Sequence, residues 1–289
     1  MLWNRSRSSD NVVQAEGGGR GIGFGRIHLG VGGTILAIII AIIFPQTRGI
    51  IFGLLTGGGD GYAPQTQQVT QADANDPQIQ FVRHILGSTE DVWSADFQRM
   101  GRQYADPKLV LFNGQVGTAC GGASAAVGPF YCPRDQQVYL DLDFFQELAT
   151  RFHSDSDFAR AYVIAHEIGH HVQDQLGIMD AEKQAKSRGA PMEGANGLSV
   201  RLELQADCFA GVWANHSQEQ LQWLQPGDVE SALGAASQIG DDTLQKESQG
   251  TVMPDSFTHG TSAQRVRWFK AGFDSGDVGA CDTFKAQEL

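Results

Sequence analysis

The sequence predicts an α+β fold, mostly helical, in which two helices bearing histidines and carboxylates pack beside a small β-sheet, preceded by one transmembrane helix. Three observations predict it. The run Ala161-Tyr-Val-Ile-Ala leads almost without a polar residue into His166-Glu167-Ile-Gly-His170-His171, the pattern of a buried helix. In Ser199–His216, Leu202, Ala206, Phe209, Ala210 and Trp213 line one helical face with Glu203 and Asp207 beside them. Lys108–Phe112 and Gln137–Leu142 are short apolar runs bounded by turn residues, and both read as strands.

The 289 residues, 41% hydrophobic, suffice for one good-sized domain with accessories. A net charge of −12 argues against nucleic acid as a partner. Residues 1–26 are polar, Gly-rich and basic, with Arg5, Arg7, Arg20 and Arg26, and are expected to be disordered. Residues 27–55 hold the apolar stretch Ile27–Phe44 and a second patch, Ile50–Leu55. Eighteen residues at about 1.5 Å each span ~27 Å, near the thickness of a bilayer core, so this stretch is expected to be a membrane anchor. The arginines ahead of it are expected to place the N-terminus in the cytoplasm and everything after it in the periplasm or outside the cell. Residues 56–76, rich in Gly, Gln and Ala, read as a flexible linker, and 77–289 as the functional domain.

Within that domain, Asp76-Pro77 reads as an N-cap and first-turn proline opening a helix through Ile79, Phe81, Val82, Ile85 and Leu86. Ser88-Thr89-Glu90-Asp91 looks like the start of another. Tight turns are expected around Gly117–Gly122 and Gly128–Pro133, and a helix over Asp143–Phe152. Ser156 or Asp157 can cap the histidine helix, and Gly177 can end it. The polar stretch 177–198 fits a loop with one short helix at Asp180–Ser187, either a substrate cover or a solvated excursion. Further helices are expected at Ser217–Leu224, at Pro226–Ile239, and after the cap residue Ser262.

Chemistry concentrates in three places. His166 and His170 lie one helical turn apart on one face, so both imidazoles can grip one zinc ion. Glu167 follows the first ligand and is placed to act as general base on a zinc-activated water. Gln173 and Leu176 stand where an extended three-histidine motif would need Gly and His, so the third ligand must come from elsewhere. Glu203 and Asp207, four residues apart on an apolar helix, supply it. Glu203 is assigned to zinc, and Asp207 to the spare N–H of a zinc histidine. His171 points about 100° away from His170 and is expected either to be structural or to support a metal ligand from behind. His259 and Arg265 are two cationic candidates that could face a developing oxyanion.

These residues carry a resemblance. Thr118-Ala-Cys120-Gly, Pro129-Phe-Tyr-Cys132-Pro, Tyr139-Leu-Asp-Leu, His166–Gln173, Arg201–Trp213 and Thr258-His259-Gly-Thr with Arg265 together resemble the neutral zinc metallopeptidases of bacteria, typically single-pass membrane proteins. The similarity runs from about Phe81 to Phe273. It implies a zincin-like two-helix site and peptidase activity on a peptide or protein substrate. Glu203-x-x-x-Asp207 is similar to the third-ligand helix of gluzincins. His259 and Arg265 are similar to the late His…Arg segment of CAAX prenyl proteases, which implies a transition-state role; those relatives have His-Pro where this chain has His259-Gly260. The rival reading is a catalytically silent, zinc-stabilised binding module. Keeping Glu167 argues against it, since a structural site has no use for that base.

Four cysteines allow three pairings. Cys120 and Cys132 flank a short segment that offers no other metal ligand, so outside the cytoplasm they are expected to form a bridge. Cys208 and Cys281 are left to form a second.

Overall fold

The computed structural model describes residues 1–15, 69–124, 128–151 and 156–289. Its centre is a five-stranded sheet in the order β2-β1-β3-β7-β6, formed by β1 (Val12–Ala15), β2 (Val69–Gln71), β3 (Lys108–Phe112), β6 (Phe130–Cys132) and β7 (Gln137–Asp141). β3 pairs in parallel with both β1 and β7, while β2 and β6 add antiparallel edges. A separate hairpin joins β4 (Gln115–Thr118) and β5 (Gly121–Ser124). The central strands are buried on both faces. Leu109, Leu111, Val138 and Leu140 enter the main core, whereas Val110, Phe112 and Tyr139 meet Val116 and Cys132 on the other side. This is the two-residue alternation of a strand.

Eight α-helices are formed among the described residues: α1 (Pro77–Arg99), α2 (Asp143–Arg151), α3 (Asp157–Leu176), α4 (Ile178–Ser187), α5 (Leu198–Leu221), α6 (Asp228–Gln238), α7 (Asp241–Gln249) and α8 (Ser262–Ser275). Several ends follow the local chemistry. Asp76 caps α1 by accepting from the N–H groups of Gln78 and Ile79. Ser156 caps α3 through Ala159, and Gly177, with φ of 80°, ends it in the left-handed region. Thr261, rather than Ser262, caps α8, in a reciprocal capping box with Gln264.

Some expected boundaries fall elsewhere. α1 is continuous through Ser88–Asp91 because those polar side chains have partners of their own: Trp213 donates to Ser88, Arg7 and Ser9 donate to Glu90, and Thr89 donates to the Leu86 carbonyl within the helix. Residues 217–221 are the last turn of α5, which ends at Gln222 in the left-handed conformation. α7 was not foreseen.

The N-terminal residues differ from the expectation of disorder over 1–26. Residues 1–15 fold onto the domain, and β1 lies inside the sheet. The reason is Glu90, 1% exposed, which takes hydrogen bonds from Ser9 at 2.7 Å, Asn11 at 2.8 Å and Arg7 at 2.7 Å. Polar residues that read as a solvated tail are the partners a buried carboxylate requires.

The expected membrane topology is also corrected. No helix among the described residues is long and apolar enough to cross a membrane. The anchor expected at 27–55 lies outside the described residues. A single crossing between 16 and 68 would put β1 and β3 on opposite sides of a membrane, yet Val12, Val13 and Gln14 pair with Leu109, Val110 and Leu111. The fold therefore does not support a preceding transmembrane helix, nor a single-pass protein of the inner membrane with its N-terminus on one side and its domain on the other.

Candidate metal centre

Helices α3 and α5 pack against each other through a glycine. A Cβ at Gly169 would lie 2.9 Å from the carbonyl oxygen of Ala206 and 3.1 Å from its Cα. Gly169 stands between His166 and His170, and Ala206 between Glu203 and Asp207. The closest approach of the two backbones is thus where the four polar side chains project. On its far side α5 meets α8 the same way, since a Cβ at Gly272 would fall 1.9 Å from the carbonyl of Cys208.

The approach brings His166, His170 and Glu203 together, with one ligand atom from each within 4.8 Å of the others. Nε2 of His166 is 3.2 Å from Oε2 of Glu203, and Nε2 of His170 is 3.5 Å from Oε1. Both Nδ1 atoms point away, to Asp207 Oδ1 at 2.8 Å and to Gln173 Oε1 at 2.8 Å. With each Nδ1–H donated to an acceptor, each Nε2 offers its lone pair to the cluster. Two such nitrogens and a carboxylate, nine-tenths buried or nearly so, leave lone pairs facing one another that a divalent cation satisfies. The residues present therefore fit zinc.

Without the ion these groups hold one another in charged forms. Burial disfavours the imidazolium of His166, but the charge of Asp207 and its hydrogen bond outweigh that and raise its pKa. His170 is raised in the same way by Glu203, and Glu203 is pulled well below the usual carboxylate range by His170 and His166 despite its burial. Metal binding therefore displaces protons. Glu167, 8% exposed, sits beside the first ligand; burial raises its pKa, and the two histidines oppose the rise.

Behind His166 lies a fully buried carboxylate. Asp207 is 0% exposed and accepts from His166, from Tyr162 Oη at 2.6 Å and from Arg265 Nε and Nη2, each at 2.9 Å. Burial works against its ionisation, yet Arg265 and His166 hold its pKa at about 2. Arg265 does not face the open side of the cluster, as the sequence had suggested. It is 3% exposed, with Nε and Nη2 on Asp207 and Nη1 directed at the carbonyl of Ile239. The parallel guanidinium–carboxylate geometry explains why arginine suits this place.

The turn carrying His259 packs on the part of α5 that bears Glu203, since a Cβ at Gly260 would lie 3.1 Å from Val200 and 3.3 Å from Leu204, and Asp241 above all raises the histidine's pKa. Asp241 Oδ2 accepts from the backbone N–H groups of Thr258 at 2.7 Å, His259 at 2.6 Å and Gly260 at 3.0 Å, fixing the turn. Gly260 has φ of 87° and uses its N–H in this clamp, so proline is excluded here on both counts. That accounts for His259-Gly260. His171 is structural, bridging Tyr131 Oη at 3.2 Å and the Ala105 carbonyl at 2.8 Å. In α4, Glu182 is half-buried, and that burial raises its pKa.

Both bridges are present, Cys120–Cys132 with Cα atoms 5.9 Å apart and Cys208–Cys281 with Cα atoms 5.6 Å apart. Sequence reasoning did not single out Tyr162, Gln173, Gln205 or Asp241. The first three carried a usable signal: Tyr162 is one turn before His166, Gln173 nearly one turn after His170, and Gln205 lies between Glu203 and Asp207.

Comparison with known proteins agrees with this geometry. The family described as "Putative neutral zinc metallopeptidase" matches residues 1–284. The chain is 46% identical over 289 residues to uncharacterized protein YpfJ of Escherichia coli (strain K12), covering 98% of this chain and 99% of the relative. It is 45% identical over 230 residues to uncharacterized protein Rv2575 of Mycobacterium tuberculosis (strain ATCC 25618 / H37Rv), covering 76% and 75%. No solved structure matches. Since the match takes in both helices of the metal centre and nearly the whole chain, the protein belongs to the neutral zinc metallopeptidase family.

Proposed function

We propose that this protein is a zinc-dependent metallopeptidase that hydrolyses peptide bonds in a peptide or protein substrate, with Glu167 as general base. The observation that carries the reading is the convergence of His166, His170 and Glu203 beside a buried glutamate that none of the three needs for metal binding. Zinc held there by His166, His170 and Glu203 would supply Lewis acidity and lower the pKa of a water towards about 7. Glu167 is placed to accept a proton from the attacking water and to return it to the leaving amine. Burial raises its pKa and so makes its carboxylate a stronger base. His259, biased towards its cationic form by Asp241, donates to the oxyanion that develops on the substrate. Asp207 holds His166 by its Nδ1–H, and Arg265 with Tyr162 holds Asp207.

A diverse peptide library, read by mass spectrometry after incubation with wild type and Glu167→Gln, tests the reading. Expected are matching zinc contents, with cleavage by wild type and loss of about 100-fold or more in the variant. Equal zinc with no cleavage by either protein would instead favour a zinc-stabilised binding module.

A further inference from the structure

We infer that Gln173 and Gln205 are positioning residues which, through a directional amide chain ending on a disulfide-pinned carbonyl, fix His170 as the tautomer whose Nε2 is free for the metal. The inference rests on the reading of His170 as a zinc ligand.

The chain's direction follows from its ends. Gln173, 0% exposed, gives one amide hydrogen to the Leu202 carbonyl at 2.7 Å and the other to Gln205 Oε1 at 3.1 Å. Gln205, 5% exposed, gives its own amide hydrogen to the Cys281 carbonyl at 2.9 Å. Backbone carbonyls only accept, so neither amide can be turned round without setting oxygen against oxygen. Gln205 must therefore present its oxygen to Gln173. Gln173 must in turn present its oxygen to His170 Nδ1, 2.8 Å away. The imidazole then has to carry its hydrogen on Nδ1. The lone pair is left on Nε2, on the side of Glu203.

His166 and His170 thus have their tautomers fixed by different means. A carboxylate holds His166 and would hold an imidazolium as readily. A neutral amide holds His170, adding no charge to a site that already has three carboxylates, Glu167, Glu203 and Asp207. The far end of the chain is set covalently, because Cys281 is bonded to Cys208 on the ligand helix itself. Arg201, also on α5, reinforces that end by donating to the carbonyls of Thr283 and Ala286. Both amides are buried and use both their nitrogen and their oxygen. Burying them away from the metal would bring no gain that leucine of similar size could not supply.

The test measures zinc affinity by chelator competition, the ring-nitrogen shifts of His170 by long-range 1H–15N NMR, and melting of the metal-free protein. Wild type, Gln173→Leu and Gln205→Leu are compared. Gln173→Leu is expected to weaken zinc binding by about 10–100-fold and Gln205→Leu, which touches no ligand, by about tenfold. In metal-free Gln173→Leu, at a pH high enough to leave the imidazole neutral, the His170 ring should show both tautomers, where wild type shows only Nδ1–H. If Gln173→Leu fails to fold, Gln205→Leu decides alone. Variants that melt lower yet bind zinc within twofold of wild type, with an unchanged His170 tautomer, would overturn the inference. Failure of the underlying reading looks different: wild type itself holds no zinc, or His170→Ala holds it equally well.

Discussion

Removing Asp207 should separate what that residue does for the fold from what it does for the metal. In Asp207→Ala the guanidinium of Arg265, 3% exposed, loses both of its carboxylate bonds, and Tyr162 Oη and His166 Nδ1 lose their acceptor. Breaking one partner of a buried ion pair costs about 3–5 kcal/mol. The pKa of Asp207 gives an independent figure. It falls from 3.8 to about 2, which corresponds to about 2–3 kcal/mol for a wholly buried group. Because the folded-state value is depressed, that contribution is complete above about pH 4 and is lost as the pH falls towards 2. Urea unfolding of the metal-free protein at pH 7 should therefore show Asp207→Ala less stable by about 3 kcal/mol or more, with the gap closing between pH 4 and pH 2. Zinc affinity should fall by about 10–100-fold as well. The double variant Asp207→Ala/Arg265→Met removes both charges and should recover most of the stability but none of the zinc affinity. A loss below about 1 kcal/mol in the single variant, or recovery of zinc binding in the double, would refute the reasoning.

Other perturbations reach different parts of the account. Glu203→Ala should release most of the zinc; a zinc content equal to wild type would remove Glu203 from the ligand set. Gly169→Ala puts a methyl against the Ala206 backbone and should cost about 1–3 kcal/mol in overpacking, together with weaker zinc binding as the two ligand helices separate. A neutral result in both denaturation and chelator competition would show that the helices do not depend on that contact. Reducing Cys208–Cys281, with a sequence separation of 73, should lower stability by about 4.5 kcal/mol in the chain-entropy account, against about 3 kcal/mol for Cys120–Cys132 with a separation of 12. Thiol counting before reduction should find none free, and four alkylatable thiols would contradict both bridges.

Much of the site could be read from spacing because helices make spacing geometric. His166 and His170 on one face, and Glu203 and Asp207 on another, need only the rise and period of a helix to be placed. The strands at 108–112 and 137–141 were legible for a similar reason: their apolar runs are buried on both faces. What stayed hidden depended on partners distant in sequence. Arg265 reads as a free cation until Asp207, 58 residues away, is seen to take its guanidinium. Residues 1–15 read as a solvated tail because Glu90, which organises their polar side chains, lies in another helix. The apolar stretch within 27–55 was judged by its own length and hydropathy, and local measures say nothing of β1 and β3 pairing across it. The positions of Gln173 and Gln205 on the two ligand-bearing helices could be read, but not their role, because a neutral amide has no direction until the carbonyls at either end give it one.

The central claim is that α3 and α5 together hold one zinc ion through His166, His170 and Glu203, leaving a coordination position open for catalysis. Crystals of the protein loaded with zinc, measured on both sides of the zinc absorption edge, test it most directly. The account predicts one anomalous peak about 2.0–2.2 Å from His166 Nε2, His170 Nε2 and a carboxylate oxygen of Glu203, with no fourth protein atom bonded to it. A peak elsewhere, or one closed by a fourth protein ligand, would contradict it.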